Sequence, residues 1–186
     1  MFNLLYQDMM QQLSELNCGI TIGTTKYNAC CYADDVLLSS VSVTGLHTLI
    51  NTANTYITRH DLTFNSTKST CVTFGRSPFR KRQWYIDGQL LSETDSIVYL
   101  GVTLANDKKS HAHERIKSTR RALYALQGAG VCEGGVKPEV ITHVFNTAIR
   151  PVLMYGLQCV YQCKSAIEDA EKLQAKRLKS SLGLRS

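Results

Sequence analysis

The spacing of apolar residues changes near residue 107, and this change constrains the fold more than any other feature of the sequence. Before it, segments with helical spacing alternate with short runs rich in β-branched residues; after it, every candidate segment has helical spacing. The sequence therefore predicts an α+β fold. A mixed helix-and-sheet portion, residues 1–107, precedes an all-helical portion, residues 108–186.

Individual elements follow from the same patterns and from their flanking residues. Ser42 is expected to cap a helix that ends near His60, and Asp87-Gly88 is a strong signal for a two-residue hairpin turn. We expect the sheet to be antiparallel. The other predicted helices are 4–16, 108–126, 139–149 and 166–182, and the predicted strands are two within 20–39, then 70–74, 83–86 and 97–104.

Charge is distributed unevenly along the 186 residues, whose formal net charge is +6. Residues 1–62 carry two Lys or Arg against five Asp or Glu, so residues 63–186 carry a net charge of +9. This asymmetry suits a protein that holds cations at one place and a polyanion at another. A solvated basic surface is the alternative.

The cysteine content and the lengths of the apolar runs indicate in which cellular compartment we expect the protein. The seven cysteines are an odd number, and the Met1 end lacks the basic-then-apolar layout of a secretory signal. The longest uncharged apolar stretches, 36–42 and 152–160, are too short to cross a bilayer. We therefore expect free thiols in a reducing compartment, nucleus or cytoplasm, with no membrane partner. Zinc is less favoured because no histidine lies at ligand spacing.

Two adjacent acids interrupt an apolar strand region at Tyr32-Ala33-Asp34-Asp35. Adjacent carboxylates in such a setting repel each other, and burial would add a desolvation cost. Mg²⁺ would compensate, since it binds one or two carboxylates together with substrate phosphates. An exposed turn without a metal explains the same residues. Because neighbouring strand residues face opposite ways, we assign the leading role to Asp34.

This segment also carries a family resemblance. With the following Val36-Leu37-Leu38 it resembles the catalytic palm hairpin of reverse transcriptases from non-LTR (LINE-like) retrotransposons. The resemblance covers nearly the whole chain. Further similar segments are Phe2 to Tyr6, Leu62 to Ser69, Tyr99-Leu100-Gly101-Val102, Ile149-Arg150-Pro151, Tyr155-Gly156, Leu173-Gln174 and Leu182-Gly183.

The resemblance implies an RNA-directed DNA polymerase with a partial palm at 1–107 and a helical thumb with a following segment at 108–186. The palm portion would include the catalytic hairpin and primer-grip-like strands, the latter at Tyr99-Leu100-Gly101-Val102. It implies two Mg²⁺ ions held by Asp34 and Asp35, with Lys68 near the leaving pyrophosphate. It also implies an RNA template, a DNA primer and deoxynucleoside triphosphates as partners. The candidate primer and nucleic-acid contacts are Tyr32, Leu100, Gly101, Arg115, Arg120, Arg121, Lys172 and Lys176.

Each of these assignments has a simpler alternative. Lys68 can be a surface lysine after a turn, and Tyr32 can be a core aromatic at a strand end. The basic stripes of the later helices can be solvated faces. The pair His111 and His113 faces different directions on a predicted helix, so we assign it no metal.

One carboxylate of the resembled site is not accounted for. In the family it lies on a strand upstream of the opening helix, whereas Asp8 and Glu15 are predicted to lie within that helix. We therefore expect the rear half of a palm plus a thumb, inactive alone and dependent on an N-terminal polymerase portion. The alternative is a non-catalytic nucleic-acid-binding remnant of the same element.

Overall fold

The computed structural model describes residues 2–75, 83–107, 109–130, 136–160 and 164–181. The chain forms two compact units, Met1–Thr94 and Asp95–Ser186. Helices and small, mainly antiparallel sheets make up the fold, so the α+β prediction is confirmed. The functional division after residue 107 is a separate assignment, and it stays a prediction.

The first unit combines two helices with three small sheets. Strands β1–β2 and β3–β4 form antiparallel pairs, and the third sheet has the order β5-β7-β6 with β5 and β7 parallel. The elements are α1 (Phe2–Glu15), β1 (Ile20–Ile22), β2 (Thr25–Tyr27), β3 (Ala29–Tyr32), β4 (Asp35–Leu38), α2 (Val43–Arg59), β5 (Thr70–Val72), β6 (Trp84–Ile86) and β7 (Gln89–Thr94).

Two apolar clusters hold this unit together. The first joins α1 to α2, and the inward residues of β3 and β4 pack against it. The second lies between α2 and the β5-β7-β6 sheet. Removing apolar surface from water stabilises such clusters by about 25 cal/mol per Å². The buried members of the first are Met9, Leu13, Leu49, Ala53, Tyr56 and Ile57, and those of the second are Ile50, Cys71, Trp84, Ile86 and Leu91.

The predicted boundaries of α2 are confirmed. The Ser42 hydroxyl accepts a hydrogen bond from the Gly45 N–H at 3.0 Å, which satisfies one of the unpaired donors of the first turn. The helix ends at Arg59 with His60 as its C-cap. The Asp87-Gly88 turn is also confirmed, since Ile86 pairs with Gln89 on either side of it.

The prediction of two strands within 20–39 is wrong, because the chain forms four short strands there. Ile22 pairs with Thr25 across a turn at Gly23, whose φ of 61° is readily adopted only by glycine. Because β-branched residues lie on both sides of Gly23, the sequence pattern indicated a single strand there and no turn. The later hairpin, between β3 and β4, lies where it was predicted.

The second unit places one β-hairpin before a set of helices. The single strand predicted at 97–104 is wrong, because the chain reverses at Leu100-Gly101 and Tyr99 pairs with Val102. The elements are β8 (Ser96–Tyr99), β9 (Val102–Ala105), α3 (Ser110–Gly128), α4 (Pro138–Val144), a π-helical segment (Phe145–Ile149), α5 (Arg150–Met154), a 3₁₀ turn (Leu157–Cys159) and α6 (Lys164–Ser181).

The helices of this unit share one apolar core. It is formed by one face of α3, the π segment with α5, and α6. Pro151 explains the wide π turn, because proline lacks an N–H and its ring collides with the carbonyl four residues earlier, at Thr147. The buried members of the core are Ile116, Leu123, Phe145, Ile149, Leu153 and Leu173.

No helix in the described part of the chain is both long and apolar enough to cross a membrane.

Candidate functional site

The adjacent acids lie at the tip of the β3–β4 hairpin. Tyr32 and Asp35 are the last paired residues, and Ala33 and Asp34 form the turn between them. Ala33 has a φ of 52°, which turns the chain sharply at this point. The side chains of Tyr32, Asp34 and Asp35 are all exposed. The hairpin thus presents two carboxylates and one aromatic ring to solvent, without the desolvation cost of burial.

Helix α1 flanks this hairpin on one side. The Cys31 Sγ atom lies 3.1 Å from the Met10 Sδ atom, which joins β3 to α1. One helical turn before Met10, Tyr6 packs against the same apolar cluster. Burial, followed by the charges of Cys31 and Asp34, raises the pKa of Tyr6 above its usual value. The charge of Asp34 therefore contributes to the raised pKa of Tyr6, an effect that the sequence pattern did not indicate.

The carboxylates at the tip are of the ligand type that magnesium prefers. Mg²⁺ keeps several waters and binds proteins through one or two carboxylates plus phosphate oxygens, so exposed Asp34 and Asp35 fit this ion. Across the described ranges, no group of three or more His, Cys, Asp or Glu side chains could hold a metal. The hairpin tip therefore presents two carboxylates, and metal binding by them stays a prediction.

Lys68 lies in the turn between α2 and β5. Its backbone N–H donates to both the carbonyl and the side-chain oxygen of Asn65, each at 3.1 Å. Its side chain is exposed. The turn belongs to the same unit as the hairpin tip, and the approach of the Lys68 amine to a nucleotide stays a prediction.

Tyr155 holds the turn of the second hairpin, β8–β9. Its hydroxyl donates a hydrogen bond to the Leu100 carbonyl at 2.7 Å. A Cβ atom at Gly101 would lie 3.1 Å from the Tyr155 ring, closer than nearly all such contacts, and Gly101 has a φ of 75°. Glycine is therefore favoured at this position both by space and by backbone conformation.

His111 links this hairpin to the chain around Tyr155. Its Nδ1 atom accepts from the Thr103 N–H at 3.0 Å, so the ring proton of the neutral imidazole is on Nε2. Nε2 then donates to the Tyr155 carbonyl at 2.9 Å. The residue is buried, with 3% of its surface exposed. Its buried position and its two partners, which lie 8 and 44 residues away along the chain, are not visible in the sequence pattern.

Arg115 stacks on the same tyrosine. Its guanidinium carbon lies 5.6 Å from the centre of the Tyr155 ring, within the range of a cation–π interaction. The side chain is half-buried, and its Nε atom is buried with no hydrogen-bond partner among the described residues. Three candidate residues, Leu100, Gly101 and Arg115, are thus brought together around Tyr155.

A second basic feature is a groove between α3 and α6, with a volume of about 570 Å³. Arg120 and Lys172 both line it, so the structure brings these two candidates together. Arg121 is exposed but is not one of its lining residues. Lys176 lies on α6, and its side chain is outside the described residues. The lining residues are His113, Ile116, Lys117, Arg120, Asp169, Lys172 and Leu173.

The positive charge of the chain belongs to the second unit. Residues 95–186 contain 14 Lys or Arg against 8 Asp or Glu, a net charge of +6, whereas the charges of residues 1–94 balance. Phosphate contacts are made chiefly by such cations, and their strength depends on salt. The acidic hairpin tip and the excess of positive charge are therefore on different units.

Comparison with known proteins gives two matches. The family described as "Reverse transcriptase (RNA-dependent DNA polymerase)" matches residues 1–104. The chain is 26% identical over 193 residues to the "Retrovirus-related Pol polyprotein from type-1 retrotransposable element R2" of Popillia japonica. That alignment covers 99% of this chain and 26% of the relative, so the chain spans about a quarter of the relative's length. No solved structure matches the chain.

Proposed function

Because the chain belongs to the reverse transcriptase (RNA-dependent DNA polymerase) family, we propose that its β3–β4 hairpin is the catalytic hairpin of a non-LTR retrotransposon polymerase. The observation that carries this proposal is the pair of exposed carboxylates at the hairpin tip, inside the region that the family matches. In this assignment residues 1–107 are part of a palm, and residues 108–186 are a thumb with a following segment.

The proposed reaction joins a nucleotide to a primer end on an RNA template. Asp34 is the principal carboxylate toward divalent ions, and Asp35 supports it from the first position of β4. Bound Mg²⁺ would stabilise charge on the attacking and leaving oxygens during an in-line displacement. Lys68 would stabilise the negative charge of the leaving pyrophosphate with its mobile ammonium group.

We further propose that the 186-residue chain does not extend primers by itself. A two-metal site needs more carboxylate oxygens than the hairpin supplies, and the described residues hold no three-ligand metal group. The remaining carboxylate would come from another polypeptide segment.

A second candidate function is nucleic-acid binding without catalysis. It is favoured by the +6 net charge of residues 95–186 and by the α3–α6 groove, where Lys117, Arg120 and Lys172 outnumber the single carboxylate of Asp169. Such a surface would bind RNA–DNA duplex through its backbone. This binding would not require the Asp34 and Asp35 carboxylates of the hairpin.

Divalent-ion binding tests the catalytic assignment without requiring activity. Mn²⁺ binding in the presence of a deoxynucleoside triphosphate is measured by electron paramagnetic resonance for the wild type, Asp34→Asn and Asp35→Asn. Asp61→Asn is the matched control, since Asp61 is another exposed acid of the same unit. We expect Asp34→Asn to weaken binding at least about tenfold, Asp35→Asn to weaken it less, and the control to match the wild type.

Equal binding by Asp34→Asn and the wild type would exclude the hairpin as a metal site. Primer extension on an RNA template with Mg²⁺ tests the second part of the proposal. We expect no incorporation by the wild type beyond that of Asp34→Asn. Template-dependent incorporation that Asp34→Asn abolishes would instead show that the chain carries a complete site.

A further inference from the structure

The β8–β9 hairpin is joined to the chain around Tyr155 by the buried ring of His111, of which only 3% is exposed. The Nδ1 atom accepts from the Thr103 N–H at 3.0 Å, and Nε2 donates to the Tyr155 carbonyl at 2.9 Å. A charged imidazole has two N–H donors and no acceptor. Only the neutral ring can therefore make both bonds at once.

A proton on Nδ1 of His111 would place two N–H donors against each other. The Thr103 N–H would lose its acceptor, and the new charge would be buried away from water, which costs free energy. The ring has no room to move toward Gly156, because a Cβ atom there would already lie 2.9 Å from Nε2 and 3.3 Å from Cε1. Proton uptake by His111 is therefore coupled to separation of the ring from β9.

The charged groups of the surrounding elements add to this conflict. Strand β9 has no ionisable side chain. The chain after α5 contributes Tyr155, whose hydroxyl donates to the Leu100 carbonyl, and Arg150 of α5 is exposed. Helix α3 contributes Arg115, whose guanidinium stacks on the Tyr155 ring. A charged His111 would therefore be a second cation against the same tyrosine.

The two acids nearest to His111 along the chain have partners of their own. Asp107 accepts from the hydroxyl and the N–H of Ser110. Glu114 is exposed and pairs with Lys117 at 3.8 Å. Their charges are thus engaged at the surface of α3, away from the buried bond between His111 and β9.

The turn that this contact positions is itself strained. Leu100 has a φ of 48°, in the left-handed region where a residue with a Cβ is disfavoured. The Tyr155 hydroxyl holds the Leu100 carbonyl in this conformation at 2.7 Å. Strain of this kind persists only while the surroundings enforce it. If the tyrosine separates from β9, the turn can relax, so release of strain favours the opened hairpin.

We propose that His111 is a pH-sensitive switch: the neutral ring joins β9 to Tyr155, and the protonated ring releases the β8–β9 hairpin. The opened hairpin exposes an imidazole that takes up a proton near about pH 6.5, whereas the closed hairpin holds the neutral ring. Because the opened state binds more protons, closure weakens as the pH falls. The inference concerns the fold of this unit and needs neither metal nor nucleic acid.

The test measures amide hydrogen exchange of the full chain by mass spectrometry at two pH values, corrected for the intrinsic exchange rates. Peptides from 96–105 report opening of the hairpin, and peptides from α2 report the other unit. His111→Gln does not titrate, and its amide can both accept and donate as the neutral ring does. His143→Gln is the matched control, because His143 is an exposed histidine of the same unit.

We expect protection of the wild-type hairpin to fall about tenfold between pH 7.5 and 5.5, the factor for one imidazole that charges only in the opened state. His143→Gln should show the same fall. His111→Gln should change less than about twofold over this range, and so should the α2 peptides of every variant.

Nuclear magnetic resonance of the wild-type imidazole is a second measurement that needs no variant. Long-range proton–nitrogen spectra distinguish the two neutral tautomers, and we expect the proton of His111 on Nε2 in neutral solution. A proton on Nδ1 would overturn the inference. Hairpin protection that does not fall in acid, an equal fall in α2, or a wild-type response in His111→Gln would overturn it as well. If His111→Gln does not fold, loss of the response in His143→Gln would assign the response to that histidine instead.

Discussion

Tyr32 and Asp35 face each other across the end of the β3–β4 hairpin, with Ala33 and Asp34 as the only residues between them. This pairing brings two successive acids to the surface at one sharp reversal of the chain. Because Asp34 is in the turn and Asp35 is in the strand, their carboxylates need not alternate in direction as two strand residues would. The short turn therefore does not force the two carboxylates onto opposite faces of the hairpin.

Ala33→Gly should stabilise the first unit. Ala33 adopts a φ of 52°, where its Cβ is strained and a glycine is not. Glycine also adds freedom to the unfolded chain, so we expect a net gain of about 0.5 kcal/mol in the free energy of unfolding. Urea denaturation measures it. A loss of stability would show that the turn does not strain Ala33.

Gly156→Ala should destabilise the second unit strongly. An added Cβ would lie 2.8 Å from a Val102 methyl group and 2.9 Å from His111 Nε2, and the φ of 70° adds strain. We expect a loss of about 2–4 kcal/mol in the free energy of unfolding. Gly128→Ala is the control, since an added Cβ there meets nothing within 4 Å. Equal effects of the two substitutions would contradict the packing around His111.

The two hairpins show how far local sequence predicts this fold. The β3–β4 hairpin was predictable because apolar runs flank a short polar interruption at its turn. The Leu100-Gly101 turn was not, because leucine disfavours a left-handed backbone and the hydroxyl that stabilises it belongs to Tyr155, 55 residues later. Local signals therefore predicted elements and caps, whereas long-range contacts decided where β8 ends.

The same distinction applies to the candidate site. Residue type and spacing pointed to Asp34 and Asp35, and to the basic residues of α3 and α6. They did not indicate that Arg115 would stack on Tyr155 while Arg120 lines a groove with Lys172. That separation depends on which face of α3 each residue occupies and on what packs against it.

Asp107 should stabilise the start of α3 in a pH-dependent way. Its carboxylate accepts hydrogen bonds from the Ser110 hydroxyl and from the N–H groups of Lys109 and Ser110, the latter two at 2.8 and 2.7 Å. These bonds, led by the Ser110 hydroxyl, lower the pKa of Asp107. Asp107→Ala should cost about 1 kcal/mol at pH 7, as for other helix caps, measured by urea denaturation.

The sign of this pH dependence follows from the lowered pKa. A carboxyl group whose pKa is lower in the folded state contributes full stability above its unfolded value of about 3.9. The contribution is lost as the pH falls through the lower folded value. The wild type and Asp107→Ala should therefore differ at pH 6, and the difference should shrink as the pH falls below about 3.9. A difference that grows on acidification would contradict this assignment.

Cys71 should react slowly with alkylating reagents. Burial, and then the charge of Glu93, raise its pKa to about 11. At pH 8 only about one thiol in a thousand would be the reactive thiolate. Iodoacetamide labelling followed by peptide mass spectrometry should modify exposed Cys30 well before Cys71. Labelling in denaturant is the control, and similar native rates for both cysteines would contradict the burial of Cys71.

The π segment makes the number of residues before Tyr155 as important as their identity. Ile141, Phe145, Ile149 and Leu153 are all buried at intervals of four, an interval that drifts by about 40° per step on an ordinary α-helix. The wider winding of Phe145–Ile149 offsets this drift and keeps the stripe on one side. Deleting one residue there would rotate everything beyond it by about 100° and carry the tyrosine away from the hairpin it holds. The number of residues in this stretch is therefore constrained as strictly as their type.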